Sequence, residues 1–176
     1  MLIVFSGLPG TGKTTIAQGL AAEMRAVYLR IDTIEQAIRN AEVLAQDVGR
    51  SGYRVANELA LSNLRIGNQV VVDGVNPVAE SRQAWRDIAA RGTSPLLNIQ
   101  VICSDQQEHR RRVETRQSDI AGLPPPTWQS VLAHDYEAWN DAPLTIDTAL
   151  MSATQAVTLI ARRCAWLHRT QSHPTC

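Results

Sequence analysis

The feature that most constrains this 176-residue chain is a glycine-rich octapeptide near its beginning, residues 7–14, with the sequence GLPGTGKT. It follows a short apolar run at residues 2–5 and precedes a segment with apolar residues at helical spacing. It fits the pattern G-x-x-x-x-G-K-[ST], which requires a strand before it and a helix after it. The glycines let backbone N–H groups converge on phosphate oxygens, and the helix dipole adds positive charge. The octapeptide therefore predicts a loop that binds a nucleoside triphosphate.

The loop supplies most of the predicted nucleotide ligands. Lys13 is the single lysine among the 17 basic residues, and its ammonium is expected to reach the β- and γ-phosphates. The Thr14 hydroxyl is expected to bind Mg²⁺. The predicted nucleotide-binding set is Gly7, Leu8, Pro9, Gly10, Thr11, Gly12, Lys13, Thr14 and Thr15.

Segments typical of strands alternate with segments typical of helices along the whole chain. The run Val70-Val71-Val72 is apolar without alternation, as expected of a strand in a parallel sheet that is covered on both faces. The pattern predicts strands over residues 2–5, 26–30, 69–73, 96–103 and 144–147. It predicts helices over residues 13–24, 32–44, 51–66, 78–90, 106–116, 127–139 and 152–168. The fold class is therefore α/β, with a five-stranded parallel sheet between two helical layers in a single domain over residues 1–176.

Composition narrows the range of partners. Apolar residues make up 44% of the chain and the formal net charge is zero, which is typical of a globular protein and argues against nucleic acid or an anionic membrane surface as the main partner. The three cysteines lack the spacing of a disulfide framework. The apolar start is too short for a signal peptide or membrane span, so we expect a cytoplasmic location. The four histidines show no metal-binding spacing and are interpreted as incidental.

Asp73 ends the third predicted strand, where ligands bind in open α/β sheets. We expect it to hold Mg²⁺, although an Asp-Gly pair also suits a simple turn. The next residue is Gly74, where a motor ATPase would carry a glutamate that activates water. The guanine-reading pattern Asn-Lys-x-Asp is absent, because the one lysine lies in the loop. Both absences favour phosphoryl transfer to a hydroxyl group over transfer to water.

With these motifs the chain resembles P-loop NTPases of the nucleoside-monophosphate-kinase-like type. It is similar in particular to the AAA-type kinase-like group of chloramphenicol phosphotransferase, zeta-toxin-like and gluconate-kinase-like enzymes. The resemblance implies ATP and Mg²⁺ as cofactors and Asp32 as the general base that contacts the acceptor hydroxyl. It also implies that Arg112 and Arg116, which are four residues apart on one helix, close over the phosphates, with a short lid at about residues 117–127. From the residues alone, Asp32 can equally cap a helix, and the arginines can form a solvated face.

The sequence says less about the acceptor of the phosphoryl group than about the nucleotide. The residues predicted to contact it are Asp32, Arg39, Asp73, Asn76 and Arg82. Arg82 can equally be a surface charge, and whether Asp32 or Asp73 is the base stays open.

The sequence therefore predicts an ATP-dependent kinase that phosphorylates a hydroxyl of a small molecule. A polynucleotide 5′-hydroxyl kinase and a nucleotide-binding regulatory module with little turnover remain as alternatives. The oligomeric state is not predicted.

Overall fold

The fold is seen in a computed structural model, which describes residues 1–42, 47–139 and 144–172. The strands are β1 (Leu2–Ser6), β2 (Val27–Arg30), β3 (Val70–Asp73), β4 (Leu96–Ile102) and β5 (Leu144–Asp147). The helices are α1 (Lys13–Met24), α2 (Ile31–Asn40), α3 (Ser51–Arg65), α4 (Ala79–Arg91), α5 (Gln106–Thr115), α6 (Trp128–Leu132) and α7 (Ala153–Ser172).

The five strands form one parallel sheet in the order β2-β3-β1-β4-β5. Asp73 at the end of β3 pairs with Phe5 of β1 on one side and with Arg30 of β2 on the other. Parallel strands all end at the same edge of a sheet. The loop after β1, Asp73 and Arg30 therefore follow one another along that edge, where α/β folds bind ligands.

Both faces of the sheet are covered, because side chains alternate along each strand. In β1, Ile3 and Phe5 pack into a cluster with α1 and α7. Leu2 and Val4 point to the opposite face and pack with α3 and α4, where Trp85 is fully buried. The predicted α/β architecture, a parallel sheet between two helical layers, is confirmed.

The helix predicted over residues 127–139 is wrong beyond Leu132, where α6 ends. The chain leaves the helix and runs along α4. There the carbonyl oxygens of Glu137 and Ala138 accept hydrogen bonds from Arg82. In the last turn of a helix over residues 127–139 these two carbonyls would have no intrahelical donor, whereas here the distant Arg82 pairs with both. The helix predicted over residues 32–44 ends at Asn40, and residues 43–44 lie outside the described part of the chain.

Candidate active site

The glycine-rich loop links β1 to α1, and its shape depends on glycines where no side chain fits. A Cβ on Gly7 would lie 2.3 Å from the carbonyl oxygen of Val101, and one on Gly10 would lie 2.4 Å from Cγ2 of Val113. The φ angle of Gly10 is 83°, a left-handed value that glycine tolerates. The loop is thus packed closely against β4 and α5, which fixes the direction of its N–H groups.

Helix α1 begins immediately after the loop. Its N-terminal residue is Lys13, and Gly12 before it provides no side-chain cap. The first N–H groups of α1 can therefore bind an anion, which the helix dipole also favours. Lys13 is only 6% exposed, so most of the residue is shielded from solvent. This arrangement is suited to a polyphosphate.

A cleft of about 420 Å³ lies over the loop and is strongly basic. Among the described residues, five cationic side chains and one carboxylate line it: Lys13, Arg30, Arg111, Arg112, Arg116 and Asp119. Four more of the predicted nucleotide ligands also line the cleft: Gly10 and Gly12 of the loop and Thr14 and Thr15 of α1. Such an excess of positive charge in a concave site attracts a polyanion. The structure therefore brings five of the nine predicted nucleotide ligands together with Arg112 of α5 and with Arg116, which directly follows that helix.

The remaining loop residues lie on its other side. Gly7, Leu8 and Thr11 border a smaller cavity of about 170 Å³ beside the end of β4. The Thr11 hydroxyl donates to the carbonyl of Leu8 at 2.9 Å and closes the turn of the loop. The Pro9 carbonyl lies 2.8 Å from Nε2 of His109. These residues therefore stabilise the side of the loop that lies opposite the cleft.

His109 was interpreted from the sequence as incidental, and the structure corrects this. Its ring is 7% exposed and packs edge-on against Trp128, with ring centroids 5.2 Å apart. Together with its contact to the Pro9 carbonyl, this packing ties α5 and α6 to the loop. His109 is therefore a support of the loop, and it does not line the cleft.

Arg112 is held beside the loop by a network of hydrogen bonds. Its Nε donates to Oε1 of Glu108, and its Nη1 donates to the hydroxyl of Thr148, both at 2.8 Å. The Thr148 hydroxyl also lies 2.8 Å from the carbonyl oxygen of Thr11. Arg111 also donates to Glu108, and the hydrogen bonds from Arg111 and Arg112 lower the pKa of Glu108 to about 2. Arg112 is thus pre-positioned at the wall of the cleft.

Arg30 joins the end of β2 to the segment predicted as a lid. Its guanidinium donates to both carboxylate oxygens of Asp119, with Nη1–Oδ2 at 2.5 Å and Nη2–Oδ1 at 3.0 Å. On its other side, Nε lies 3.9 Å from Oδ2 of Asp73. The hydrogen bonds from Arg30 hold the pKa of Asp119 below its usual value. This buried arginine, flanked by two carboxylates, was not among the residues predicted from the sequence.

Asp73 fits the role of a magnesium ligand. It is 2% exposed, and its Oδ2 accepts a hydrogen bond from Tyr28 at 2.8 Å. Its Oδ1 is buried without a hydrogen-bond partner among the described residues, so a carboxylate oxygen is available at the edge of the sheet. No group of three or more His, Cys, Asp or Glu side chains in the described ranges could hold a metal by itself. Mg²⁺ commonly uses one or two protein ligands together with phosphates and water, so this donor set suits it.

Asp32 does not cap α2, contrary to one of the two roles considered for it. The extended residue before the helix is Arg30, and Asp32 lies in the first helical turn. No side chain caps this helix, so the Asp32 carboxylate is not used for capping. It is half-buried and close enough to Tyr53 and Glu35 to raise the pKa of both, although burial is the main cause in each case. Asp32 therefore lies beside the sheet edge with its carboxylate not engaged in capping.

The other predicted acceptor ligands are used differently. Asn76 is fully buried: its Nδ2 donates to the carbonyl of Phe5, and its Oδ1 accepts from Nε1 of Trp85. Arg39 lies on the exposed face of α2, 3.6 Å from Glu35. Neither residue lines the cleft over the loop.

Arg82 is also removed from the cleft. It is 3% exposed, and its guanidinium donates to the main-chain carbonyls of residues 76, 77, 137 and 138. It also stacks on the rings of Tyr136 and Trp139, at 5.0 Å and 4.3 Å from their centroids. Arg82 therefore organises the segment after α6 and does not face a substrate.

We expect Arg82→Ala to destabilise the protein by about 2–4 kcal/mol, because it leaves several buried carbonyls without donors. Urea unfolding measures this change. Arg91→Ala is the matched control on the same helix, since Arg91 makes one exposed ion pair with Glu58 and should cost less than about 1 kcal/mol. Equal stability of both variants would contradict the structural role of Arg82.

No helix within the described residues has both the length and the apolarity that a membrane span requires. The thiols of Cys103 and Cys164 are not paired in a disulfide.

The known proteins that this chain resembles include several kinases. A family model described as "AAA domain" matches residues 2–133. The shikimate kinase of Bordetella pertussis is 28% identical over 157 residues, which cover 85% of this chain and 71% of that protein. Among solved structures, a gluconokinase from Sinorhizobium meliloti 1021 superposes with a TM-score of 0.66 at 19% identity and covers 97% of both chains. The APS kinase of Mycobacterium tuberculosis, in complex with AMPPNP and APS, gives 0.64 at 19% identity, over 91% of this chain and 95% of that one. The resemblance to P-loop kinases is therefore confirmed.

Proposed function

This protein belongs to the AAA domain family, and from that premise we propose that it is an ATP- and Mg²⁺-dependent kinase that phosphorylates a hydroxyl group of a small molecule. The observation that carries the proposal is the cleft over the glycine-rich loop, which is lined by five cations. It lies along a sheet edge that also carries Asp73 and, in the first turn of α2, Asp32. The relatives named as shikimate kinase, gluconokinase and APS kinase support the same class of reaction.

The nucleotide would bind with its phosphates on the loop. The N–H groups between residues 7 and 14 and the start of α1 would surround the β-phosphate, and Lys13 would reach the β- and γ-phosphates. Arg112 and Arg116 line the facing wall. Their planar cations match the oxygens of the transferring phosphoryl group, whose negative charge they would stabilise.

Thr14 and Asp73 would hold Mg²⁺ beside the phosphates. When bound, the ion neutralises charge on the β- and γ-phosphate oxygens. Asp73 offers the unpartnered Oδ1, while the Tyr28 hydroxyl fixes its other oxygen. Thr14 follows Lys13 in the first turn of α1 and lines the cleft.

Asp32 would act as the general base. The acceptor oxygen forms a bond to the γ-phosphorus, the bond from that phosphorus to the β–γ bridging oxygen breaks, and ADP leaves. The hydroxyl proton passes to the Asp32 carboxylate, whose position in the first turn of α2 is next to the end of β2. A positioned base of this kind contributes about 10²–10⁴-fold to the rate.

Residues 117–127 would form the lid that covers the cleft. The segment follows α5 directly, and Asp119 within it binds Arg30 across the site. Closure of this segment would exclude water from the γ-phosphate and limit hydrolysis.

The test is a transfer assay with γ-labelled ATP, Mg²⁺ and separate pools of sugars, antibiotics and nucleosides. We expect label in a small-molecule product of one pool, with ADP released in equal amount. Label on a 5′-hydroxyl oligonucleotide, with salt-sensitive binding, would instead support the polynucleotide alternative. Bound nucleotide without label in any pool would favour the regulatory module.

A further inference from the structure

Thr148 directly follows β5, so it lies along the same edge of the sheet as the glycine-rich loop, which follows β1. Its main-chain N–H donates to the carbonyl oxygen of Ile102 at 2.9 Å, which ties the residue to the end of β4. The chain then turns, with the N–H groups of Leu150 and Met151 donating to the carbonyl oxygen of Asp147. The main chain thus holds Thr148 in place, and its side chain extends from a fixed point.

The Thr148 hydroxyl joins two parts of the candidate active site. Nη1 of Arg112 donates to this hydroxyl at 2.8 Å, and Nη2 of the same guanidinium donates to the Thr148 carbonyl at 3.2 Å. The carbonyl oxygens of Thr11 and Ile102 lie 2.8 Å and 3.1 Å from the hydroxyl oxygen. The Thr11 contact is the shorter, and Ile102 already accepts from the Thr148 N–H. A hydroxyl can accept and donate at once, so Thr148 connects a cation of the cleft to the main chain of the loop.

The contact with the Thr11 carbonyl also sets the direction of an N–H group in the loop. In a trans peptide the C=O and the N–H point in opposite directions, so the N–H of Gly12 is turned away from Thr148. Gly12 lines the cleft and immediately precedes α1, and the N–H groups at the start of a helix have no acceptor within the helix. The Thr148 hydroxyl therefore fixes the direction of a donor that a phosphate oxygen can use.

The same hydroxyl helps to fix the guanidinium of Arg112, which lines the cleft. Its Nε donates to Glu108 on α5 at 2.8 Å, whereas its two terminal nitrogens donate to Thr148 after β5. These three hydrogen bonds leave the other two N–H groups of the guanidinium for a ligand. An arginine loses much rotational freedom when it is fixed. Because the anchors are in place before a nucleotide binds, they lower the entropy cost of binding a phosphate.

We propose that Thr148 is a positioning residue, whose hydroxyl orients the Arg112 guanidinium and the Gly12 N–H toward the phosphates of the nucleotide at the same time. This inference rests on the proposed kinase function and adds a residue to its machinery. Thr148 does not itself line the cleft over the loop, so its effect on the nucleotide passes through Arg112 and the loop.

The first test replaces Thr148 in two ways. Thr148→Val keeps the branching of the side chain and removes the hydroxyl, whereas Thr148→Ser keeps the hydroxyl. Calorimetric titration with AMPPNP and Mg²⁺ should show about tenfold weaker binding by Thr148→Val, the usual effect of losing a hydrogen bond to a charged group. Thr148→Ser should bind within about twofold of wild type. Thr148→Ala, which removes the hydroxyl without placing a methyl group against the Thr11 carbonyl, should reproduce the loss.

Thr158→Val is the matched control, because the Thr158 hydroxyl is exposed on α7 and donates to the carbonyl of Thr154. It should bind AMPPNP as wild type does, and circular dichroism checks that each variant is folded. Equal losses in Thr148→Val and Thr148→Ser would overturn the proposal, since the hydroxyl would then not be the group that matters. Wild-type affinity in Thr148→Val would overturn it as well.

The second test asks whether the hydroxyl acts through Arg112. Thr148→Val is combined with Arg112→Gln, and the AMPPNP affinities of the single and double variants are compared. We expect Thr148→Val to weaken binding about tenfold in the presence of Arg112, and about threefold or less in Arg112→Gln, where only the loop contact remains. The same loss in both backgrounds would overturn the proposal, because Thr148 would then not act through Arg112.

ADP with Mg²⁺ tests the loop contact alone, because ADP lacks the γ-phosphate on which Arg112 is proposed to act. Thr148→Val should bind ADP about threefold more weakly than wild type, with or without Arg112. Unchanged ADP affinity would overturn the part assigned to the Gly12 N–H. Failure of wild-type protein to bind AMPPNP would refute the proposed function itself, whereas normal binding by wild type and by Thr148→Val would refute only the role of Thr148.

Discussion

Replacing Lys13 with alanine should lower the rate of phosphoryl transfer by about 100- to 1,000-fold, the usual cost of removing one electrostatic contact to a developing charge. Lys13 is 6% exposed at the first turn of α1 and lines the cleft. No other residue can replace it, because it is the only lysine in the chain and the arginines enter the cleft from other elements. The rate is measured under saturating ATP with an acceptor identified in the pools.

The Lys13→Ala protein should unfold at nearly the same urea concentration as wild type. The buried ammonium gains little stability without bound phosphate, so its removal costs little. Arg65→Ala is the control, since Arg65 is an exposed cation at the end of α3, away from the cleft. It should leave transfer unchanged. Near-normal transfer by Lys13→Ala in folded protein would refute the role of this lysine.

Replacing Asp32 with asparagine should lower kcat at least about tenfold, and up to about 10⁴-fold, because asparagine cannot accept the hydroxyl proton. ATP binding should be spared, since Asp32 does not line the phosphate cleft. The fold should also be spared, because no side chain caps α2 and the carboxylate makes no capping bond. Measurement of kcat and of ATP affinity in the same variant separates the two effects.

Asp73→Asn provides the comparison that assigns the base. If Asp73 holds Mg²⁺, its amide variant should need more Mg²⁺ for half-maximal activity, while Asp32→Asn should keep the wild-type requirement. If Asp73 is the base, Asp32→Asn should turn over at the normal rate. That last outcome would remove Asp32 from the mechanism.

The glycine-rich loop could be predicted from the sequence because its determinants are local. Eight consecutive residues fix the turn, and the strand and helix on either side are seen in the apolar patterns of residues 2–5 and 13–24. The same holds for β1 and β3, the central strands, which are short apolar runs buried on both faces. Local chemistry and the final fold agree at these positions, so little depended on distant contacts.

The Arg30–Asp119 pair could not be predicted, because its partners are 89 residues apart in the sequence. One available signal was a charged residue, Arg30, at the carboxyl end of a predicted strand and two residues before Asp32, since such positions bind ligands in parallel sheets. Arg82 shows the opposite case. The sequence left Arg82 as either an acceptor ligand or a surface charge, but the segment over residues 134–139 folds onto it and supplies carbonyls and aromatic rings. Tertiary contacts of this kind override helix propensity and charge patterning.

The proposed function requires that the loop over residues 7–14 and the basic cleft bind a magnesium nucleoside triphosphate. Titration of AMPPNP with Mg²⁺ into the purified protein, followed by calorimetry, tests it most directly. We expect saturable binding with one site per chain, weakened in Lys13→Ala and unchanged in Arg65→Ala. Absence of binding heat over several temperatures in well-folded protein, or equal affinity in Lys13→Ala and wild type, would contradict the claim.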